Sequence, residues 1–311
     1  MIIMKINTKK IKKFFKDNYA GYLAILPLIL GIFIFSLYPV IETLVFSFHD
    51  YNVFTGELGE FTFKQYEKIF ATYSERTFSS LGLTFAYTAI MVSFNMVVGF
   101  ALALWVNSKR KGMGVFKILL YLPCLVPAVI SGLIWQYVGD VNYGIGNAIL
   151  TAFGFEKFAF LSSASTSFKT IVIYSCFGVS SSIFIWLSSL KSVPVSFYEA
   201  AEVEGCGAVR KLFYITIPMC TPFILYNLLT NLIATIQTFT NVYTITGGNA
   251  GVQESLLFYV IYIYKEAFEL YSGEFAISYA SALSWVLFVI IAALSGVLLK
   301  TSKWVYYNEE A

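Results

Sequence analysis

Charged side chains are scarce in this chain of 311 residues, where Asp, Glu, Lys and Arg together make up only 13%. Apolar residues make up 58% and aromatic residues 18%, and the mean hydropathy is +0.72. A soluble domain of this size needs far more polar residues to cover its surface. The composition therefore excludes an ordinary soluble protein and predicts a polytopic membrane protein.

Residues that bind metals or form disulfides are also few. The one histidine, His49, has no Cys or His neighbour at ligand spacing, which argues against a metal site. The sequence contains no GxxxxGK[ST] phosphate loop, so we do not expect this chain to hydrolyse ATP. The cysteines stand singly, which indicates neither a disulfide framework nor a CxxC metal site; they are Cys124, Cys176, Cys206 and Cys220. We expect no cofactor and no metal.

Six apolar stretches are long enough to cross roughly 30 Å of hydrocarbon, for which about 20 helical residues are needed. They are residues 20–48, 81–106, 115–138, 168–190, 219–246 and 276–299. We therefore predict an all-α membrane protein with six transmembrane helices. The segments between the spans are too short to form an independent soluble core. One of them, residues 144–153, is predicted to form a short amphipathic helix at the membrane surface.

The basic residues predict the orientation, because Lys and Arg are retained on the cytoplasmic side of a membrane. With the N-terminus inside, only six of the 21 basic residues fall outside, which leaves 21 minus six, or fifteen, on the inner side. Both termini and the segment between the fourth and fifth spans are then cytoplasmic. We call that segment, residues 191–218, the inter-span loop. The predicted organisation is a basic cytoplasmic segment (1–19), a six-span domain (20–300, with a core at 81–300) and a cytoplasmic tail (301–311).

Ionisable residues are nearly absent from the predicted spans. Only Glu42 lies well within an apolar stretch, near the outer end of the first span. Proton-driven pumps and ion carriers place such groups at mid-membrane, where they relay protons or bind ions. Any solute pathway in this chain is therefore close to neutral, and the driving energy is expected to enter from elsewhere.

The inter-span loop carries the signals of two short helices. Ser196 followed by Glu199 fits a capping box, which predicts that a helix begins there. The Gly205-Cys206-Gly207 run predicts that the helix ends, since glycine adopts the left-handed conformation of a helix terminus. A second helical stretch is predicted from Ala208 toward Pro218. The expected loop is a helical elbow, that is, two helices set at an angle.

The loop resembles the EAA loop of ABC importer permeases. Glu199-Ala200-Ala201 is followed after three residues by Gly205, and after nine more by Ile215-Thr216-Ile217-Pro218, with Ile217 where the motif has Leu. Other stretches are similar to carbohydrate-uptake permeases of the maltose and glycerol-phosphate type, and together they cover nearly the whole chain: residues 24–52, 143–147, 187–194, 246–248 and 264–268. The chain departs from that family at Thr240, where Asp is frequent, and at Asn249, where Pro is frequent.

The resemblance implies a permease subunit of an ATP-driven, binding-protein-dependent sugar (oligosaccharide) importer that works by alternating access in a bacterial inner membrane. The implied partners are a second homologous permease subunit forming a heterodimer, two cytoplasmic ATPase subunits, an extracytoplasmic solute-binding protein and the lipid bilayer; no nucleic acid is implied. In such importers each ATPase holds one EAA loop in a surface cleft. The residues that carry this coupling here are Glu199, Ala200, Ala201, Gly205 and Pro218.

The fifth span offers polar groups that suit a sugar pathway. Amides and hydroxyls pair with sugar hydroxyls, and an aromatic face stacks on the ring. Polar residues also join helices in membranes, and that structural reading stands beside the functional one. The candidates for the solute path are Asn231, Gln237, Thr238, Asn241 and Tyr243.

Two other functions stay open on the sequence alone. One is an ABC importer permease for a non-sugar solute such as a peptide, metal or polyamine. The other is a secondary transporter or channel in which the inter-span loop is only structural. That class typically shows mid-membrane charges or an inverted repeat, and the sequence shows neither.

Overall fold

The structure is a computed structural model that describes residues 18–108, 110–269 and 273–306. Most of the predicted basic N-terminal segment, residues 1–17, and the last five residues of the predicted tail lie outside the described residues.

The first element of the described residues is one long apolar helix that is interrupted in its middle by a π-turn. Helix α1 (Tyr19–Ile32) passes through a π-turn (Phe33–Leu37) into α2 (Tyr38–Ser47). At that turn the Tyr38 N–H bonds to the Phe33 carbonyl, five residues back. The turn directly precedes Pro39, which has no N–H to donate to the preceding turn.

A small β-hairpin follows, which the sequence did not predict. Strand β1 (His49–Tyr51) pairs antiparallel with β2 (Leu58–Phe61). The turn is stabilised by the Asn52 side chain, whose Oδ1 accepts the N–H groups of Phe54 and Thr55 at 2.9 and 3.1 Å. A short helix, α3 (Lys64–Glu67), connects the hairpin to the rest of the bundle.

The second and third predicted spans differ in form. Helix α4 (Ser74–Val106) is straight and 33 residues long. Helices α5 (Met113–Tyr121) and α6 (Ala128–Val138) form a pair bent by 94°, so the predicted third span, 115–138, is present as two helices with a break between them. The break lies at Val126-Pro127, where the residue before proline is held extended (φ −82°, ψ 122°).

A short helix is present where it was predicted, as α7 (Ile145–Ala152), and its position at the membrane surface stays a prediction. The fourth span consists of α8 (Ala164–Cys176) and α9 (Ser180–Ser192), joined by one tighter turn and bent by 40°. The inter-span loop contains α10 (Val195–Val203) and a second stretch that begins with α11 (Ala208–Lys211) and ends with α12 (Ile217–Met219).

The fifth span is shorter than predicted. Helix α13 (Thr221–Ile236) follows the loop at a 68° bend, and α14 (Thr240–Ile245) is a separate helix. The predicted fifth span, 219–246, is therefore divided into two helices, because Phe239 leaves the helical conformation (φ −140°, ψ −69°). Two helices complete the fold, α15 (Tyr259–Phe268) and α16 (Ala276–Lys300).

The described residues hold three unbroken helices long and apolar enough to cross a membrane, and three bent pairs that pass the same test together. Counting each bent pair as one span gives the predicted six. Helix α4 lies at the centre and packs against α8, α9, α13 and α15, while α16 packs against α2 and α15. The predominantly helical membrane fold is confirmed.

Small residues allow α4 to approach α9 closely. A Cβ atom added at Gly99 would lie 2.7 Å from the Ser182 hydroxyl and 3.2 Å from the Trp186 indole nitrogen. Gly178, four residues before Ser182, has no atom within 4 Å of an added Cβ atom. Only the first glycine is thus required for helix packing.

Candidate functional site

The first helix of the inter-span loop begins two residues earlier than the predicted capping box requires. Pro194 is the N-cap of α10, and within the described part of the chain no side chain caps this helix. Val193 and Pro194 are both extended (ψ 120° and 135°), so the chain is already directed into the helix at Val195. Ser196 therefore lies inside the first turn, and the prediction that Ser196 and Glu199 form a capping box is wrong.

The end of this helix follows the prediction. Gly205 has a φ of +73°, the left-handed conformation that glycine adopts without strain. Its N–H bonds to the Glu202 carbonyl at 3.0 Å, and the Cys206 N–H bonds to the Ala201 carbonyl at 2.8 Å. This pair of bonds is the Schellman motif. Because no atom lies within 4 Å of an added Cβ atom, the position requires glycine for its backbone conformation and not for space.

Pro218 lies at the junction between the loop and the fifth span. A π-turn (Leu212–Thr216) precedes it, in which the Ile217 N–H bonds to the Leu212 carbonyl. The same arrangement precedes Pro39 in the first helix. The Pro218 carbonyl accepts the Thr221 hydroxyl at 2.7 Å, and the chain then bends by 68° into α13. The proline thus marks the place where the loop changes direction.

The two helices of the loop are fastened to each other and to the bundle. The Tyr198 and Thr216 hydroxyls lie 2.9 Å apart, and Lys211 pairs with Glu202 at 3.4 Å. Tyr198 and Ile215 pack against a buried cluster made by the ends of α4 and α9 and by Cys220. The residues of that cluster are Ala103, Val106, Ile183, Trp186, Leu187, Leu190, Val193 and Cys220.

The loop also presents an exposed face that combines acidic and apolar side chains. Glu199 and Ala200 are exposed, and among the described residues the Glu199 carboxylate has no hydrogen bond or ion pair. Ala201, by contrast, is buried against the bundle. Val203 is 91% exposed and Tyr214 is 77% exposed. Grouped exposed apolar side chains of this kind mark a surface that binds a partner.

The five solute-path candidates lie in two different settings. Asn231 is in α13, where its amide donates to the Asn227 carbonyl at 2.9 Å and accepts from the Asn95 amide at 3.1 Å. Thr238 is buried at the break after α13. Asn231 therefore joins α13 to α4, and the Thr238 side chain is closed off from open space. Asn95, in α4, was missed by the sequence reasoning, although a lone amide in an apolar span is itself a signal.

Of the other three candidates, Gln237 and Asn241 have polar side chains that face open space, and Tyr243 is partly exposed. Gln237 is exposed at the end of α13, and its amide makes no hydrogen bond with another described residue. Asn241, in α14, lines a cavity of about 170 Å³ together with Ser131 and Ser175. Tyr243 stacks on Phe239, with ring centroids 5.0 Å apart. The structure thus brings Asn241 and Tyr243 onto one short helix and places Gln237 just before it.

Helices α6 and α14 are in very close contact. A Cβ atom added at Gly132 would overlap the Thr244 hydroxyl and would lie 2.8 Å from the Thr244 Cβ atom. Only a glycine in α6 permits this distance. Thr244 turns its hydroxyl to the Thr240 carbonyl at 2.7 Å and so satisfies it within its own helix.

An ionic cluster at the opposite end of the bundle was also missed. Arg76, at the start of α4, bonds to Glu254 at 2.6 Å and to Glu266 at 3.1 Å. Burial raises the pKa of the Glu266 carboxyl above its ordinary value, and the Arg76 guanidinium opposes that shift. The three residues come from distant parts of the chain, so no local pattern reveals them. They fix the loop 247–257, in which Ala250, Gln253 and Glu254 have left-handed φ angles of 53°, 53° and 56°.

Comparison with known proteins gives a family match and full-length relatives. Residues 95–303 match the family described as "Binding-protein-dependent transport system inner membrane component". The probable ABC transporter permease protein YesP of Bacillus subtilis is 34% identical over 309 residues, covering 97% of this chain and 96% of that protein. The trehalose/maltose transport system permease protein MalF of Thermococcus litoralis is 27% identical over 298 residues, covering 96% and 97%.

A solved structure shares the fold. A chain of the bacterial alginate ABC transporter in complex with an alginate pentasaccharide-bound periplasmic protein matches with a TM-score of 0.81 at 19% identity. The match covers 94% of this chain and 96% of that one. At this identity the likeness establishes the fold alone.

Proposed function

Because the chain belongs to the family of binding-protein-dependent transport system inner membrane components, we propose that it is a permease subunit of an ATP-driven sugar (oligosaccharide) importer. Relatives over nearly the full length are named for trehalose/maltose, arabinooligosaccharides and lactose. These names favour a sugar over a peptide, metal or polyamine. Membership of the family also disfavours a secondary transporter. The chain is a membrane-embedded permease, and ATP is hydrolysed by a separate subunit.

The observation that carries the coupling mechanism is the attachment of the inter-span loop to the bundle. The two helices of the loop are joined by the Tyr198–Thr216 hydrogen bond and pack on the ends of α4 and α9. A displacement of the loop is therefore passed on to the transmembrane bundle. Glu199 and Ala200 contact the ATPase, and Ala201 packs the helix onto the bundle. Gly205 holds the end of the first helix, and Pro218 directs the loop into α13.

The partners follow from this mechanism. The chain pairs with a second homologous permease subunit, each of two ATPase subunits holds one inter-span loop, and an extracytoplasmic solute-binding protein delivers the sugar. The chain lies in a bacterial inner membrane with both termini and the inter-span loop in the cytoplasm. This orientation places the Arg76 cluster and the loop 247–257 on the extracytoplasmic side. The six-span domain covers 20–300, between the basic segment 1–19 and the tail 301–311.

Among the five candidates, Gln237, Asn241 and Tyr243 are proposed to contact the sugar, because Gln237 is exposed, Asn241 lines a cavity and Tyr243 offers a partly exposed aromatic ring. Asn231 and Thr238 are proposed to shape the path from behind, since Asn231 is already bonded to Asn95 and Thr238 is buried.

The test is uptake by the complete complex in proteoliposomes, with both permease subunits, both ATPases and the loaded binding protein. Glu199→Ala is expected to abolish saccharide uptake and saccharide-stimulated ATP hydrolysis, since the carboxylate that meets the ATPase is removed. Glu204→Ala is the matched control, because Glu204 is an exposed acid of the same loop outside the motif. Full coupling in the Glu199→Ala complex would show that the loop is not the contact.

A further inference from the structure

A cavity of about 330 Å³ opens at the end of the bundle opposite the inter-span loop. Its walls are the last turn of α6, the segment before α8 and the loop after α14. The volume lies at the lower end of the range of small-molecule sites, which is the scale of a single sugar unit. We call this cavity the outer pocket.

The outer pocket is lined by polar side chains whose hydrogen-bonding groups are not used by the protein. Within the described residues, the side chains of Gln136, Ser162 and Asn249 make no hydrogen bond. Asp140 uses one carboxylate oxygen, Oδ1, to accept the N–H groups of Asn142 and Tyr143 at 2.8 and 3.0 Å. Its second oxygen has no partner in the same part of the chain. Two amides, a hydroxyl and a carboxylate oxygen therefore line one small cavity.

The second cavity on this face differs in that respect. It has a volume of about 550 Å³ and is lined by Arg76 and Glu254, but these two residues are paired with each other at 2.6 Å. The charges of Arg76 and Glu254 therefore neutralise each other and are not available to a ligand. The two cavities lie on either side of the loop 247–257, and the outer pocket differs in that its lining contains no cation to pair with its carboxylate.

The walls of the outer pocket are held in place. An added Cβ atom at Gly139 would lie 3.2 Å from the Phe160 Cβ atom, so the α6 end and the segment before α8 are in close contact. The loop wall is closed by the bond from the Leu256 N–H to the Ala250 carbonyl at 2.9 Å. Below the pocket, Trp135 packs against Phe177 with ring centroids 5.0 Å apart. The polar groups are thereby preorganised, which lowers the entropy cost of binding.

We propose that the outer pocket is a saccharide-binding site at the extracytoplasmic mouth of the permease, where one sugar unit is held after its release from the binding protein. This inference rests on the proposed function and adds a site to it. Amides and a carboxylate oxygen form the donor and acceptor pairs that neighbouring sugar hydroxyls require. The lining holds one carboxylate and no Lys, Arg or His, so the unit bound here is a neutral one.

The pocket lies above the region that holds Asn241. The cavity lined by Asn241 is bounded by the opposite ends of the same helices, α6, α8 and α14. Between the two cavities lie Trp135 and the close contact of Gly132 with Thr244. The sugar unit in the outer pocket is therefore separated from the inner cavity until α6 and α14 move apart.

The first experiment measures uptake by the complete complex in proteoliposomes, with maltose, lactose and arabinotriose as probes. Asn249→Ala and Asp140→Asn are each expected to lower the maximal uptake rate by about fivefold to tenfold, the effect of losing one hydrogen bond to the solute. Docking of the binding protein and basal ATP hydrolysis remain unchanged. The control is Gln253→Ala, which removes an amide from the same loop that lines the other cavity.

The second experiment detects occupancy without transport. In a Ser162→Cys complex, a membrane-impermeant maleimide is expected to label the new thiol at least about threefold more slowly when the transported probe is present, because the sugar covers it. Unchanged labelling together with normal uptake by Asn249→Ala and Asp140→Asn would overturn the outer pocket and leave the importer standing. If the unmodified complex transports none of a wide panel of saccharides, the proposed function itself fails.

Discussion

The hydroxyl groups of Tyr198 and Thr216 lie 2.9 Å apart and join the two helices of the inter-span loop. The residues are 18 positions apart, one on α10 and the other in the π-turn before Pro218. Thr216 is also buried at the foot of the fifth span. A force applied to the exposed side of α10 therefore reaches the transmembrane bundle through this bond and the packing around it.

Removing this bond is expected to weaken coupling. Tyr198→Phe and Thr216→Val each delete one hydroxyl and keep the shape of the side chain, and each should destabilise the loop by about 1 kcal/mol. The double variant should cost little more than either single variant, since both remove the same bond. Thermal denaturation of the purified complex, with the ratio of sugar transported to ATP hydrolysed, checks this. Strictly additive losses would show that the hydroxyls act independently.

Gly205 is expected to tolerate asparagine better than valine. No atom crowds the position, so the cost of a side chain comes from the left-handed backbone alone. Asparagine adopts that conformation readily and a β-branched residue does not. Gly205→Asn should keep saccharide-stimulated ATP hydrolysis, whereas Gly205→Val should lose most of it while the protein is still inserted. Equal activity of the two variants would contradict a conformational role.

Gly132 is expected to be intolerant of even one added methyl group. In Gly132→Ala the new carbon would overlap the Thr244 hydroxyl, and overpacking of this kind costs about 1–3 kcal/mol. Thr244→Gly removes the overlapping atoms and should restore part of the loss in the double variant. Gly82→Ala in α4 is the matched control, since nothing lies within 4 Å of its added Cβ atom. The midpoint of thermal aggregation measures all four proteins.

Substitution of Asn231 is expected to lower the stability of the complex, whereas substitution of Gln237 is expected to change transport. Asn231→Leu breaks the bond to the Asn95 amide and leaves that amide buried without its partner, so the complex should melt at a lower temperature. Gln237→Ala removes an exposed amide and should change the rate or range of sugar uptake without changing assembly. Melting curves and uptake of several oligosaccharides test the contrast, and the reverse pattern would exchange the roles of the two residues.

The buried carboxyl of Glu266 is expected to give the fold a pH dependence. Because burial raises its pKa in the folded protein, the folded state binds more protons than the unfolded chain between the ordinary pKa of 4.5 and the raised one. Stability should therefore fall as the pH rises through that interval. Glu266→Gln should flatten this part of the curve. Thermal inactivation of the complex at a series of pH values measures it, and a curve unchanged by the substitution would exclude Glu266 as the cause.

Local signals predicted much of the fold. Hydropathy located the six apolar segments, and Gly205 located the end of α10, because each depends on residues close in sequence. The break at Phe239 was not predicted, since residues 237–239 include neither proline nor glycine and hydropathy does not register a helix that ends inside an apolar run. Pro127 indicates a break in the helix but does not specify the angle between the two parts, so the 94° bend could not be predicted from the sequence.

The site depends more on tertiary contacts. The pairing of Asn95 with Asn231 spans 136 residues, and that of Arg76 with Glu254 spans 178, so neither is encoded in a local pattern. The capping box was misplaced by two residues because Pro194 directs the chain into the helix before Ser196 is reached. The outer pocket likewise combines three distant segments, none of which is distinctive alone.

The bend between α5 and α6 also bears on how this protein is made. An insertion machinery that reads hydropathy meets residues 113–138 as one segment of sufficient length to span the bilayer. The folded helices are bent by 94° at Val126-Pro127, and the residue before a proline is held extended, so this segment does not cross the bilayer as one straight helix. The backbone groups freed at the bend are tolerated only where neighbouring helices shield them from lipid. This segment can therefore reach its folded form only after the later helices have been inserted. Chains truncated before α14 are expected to be degraded by quality-control proteases.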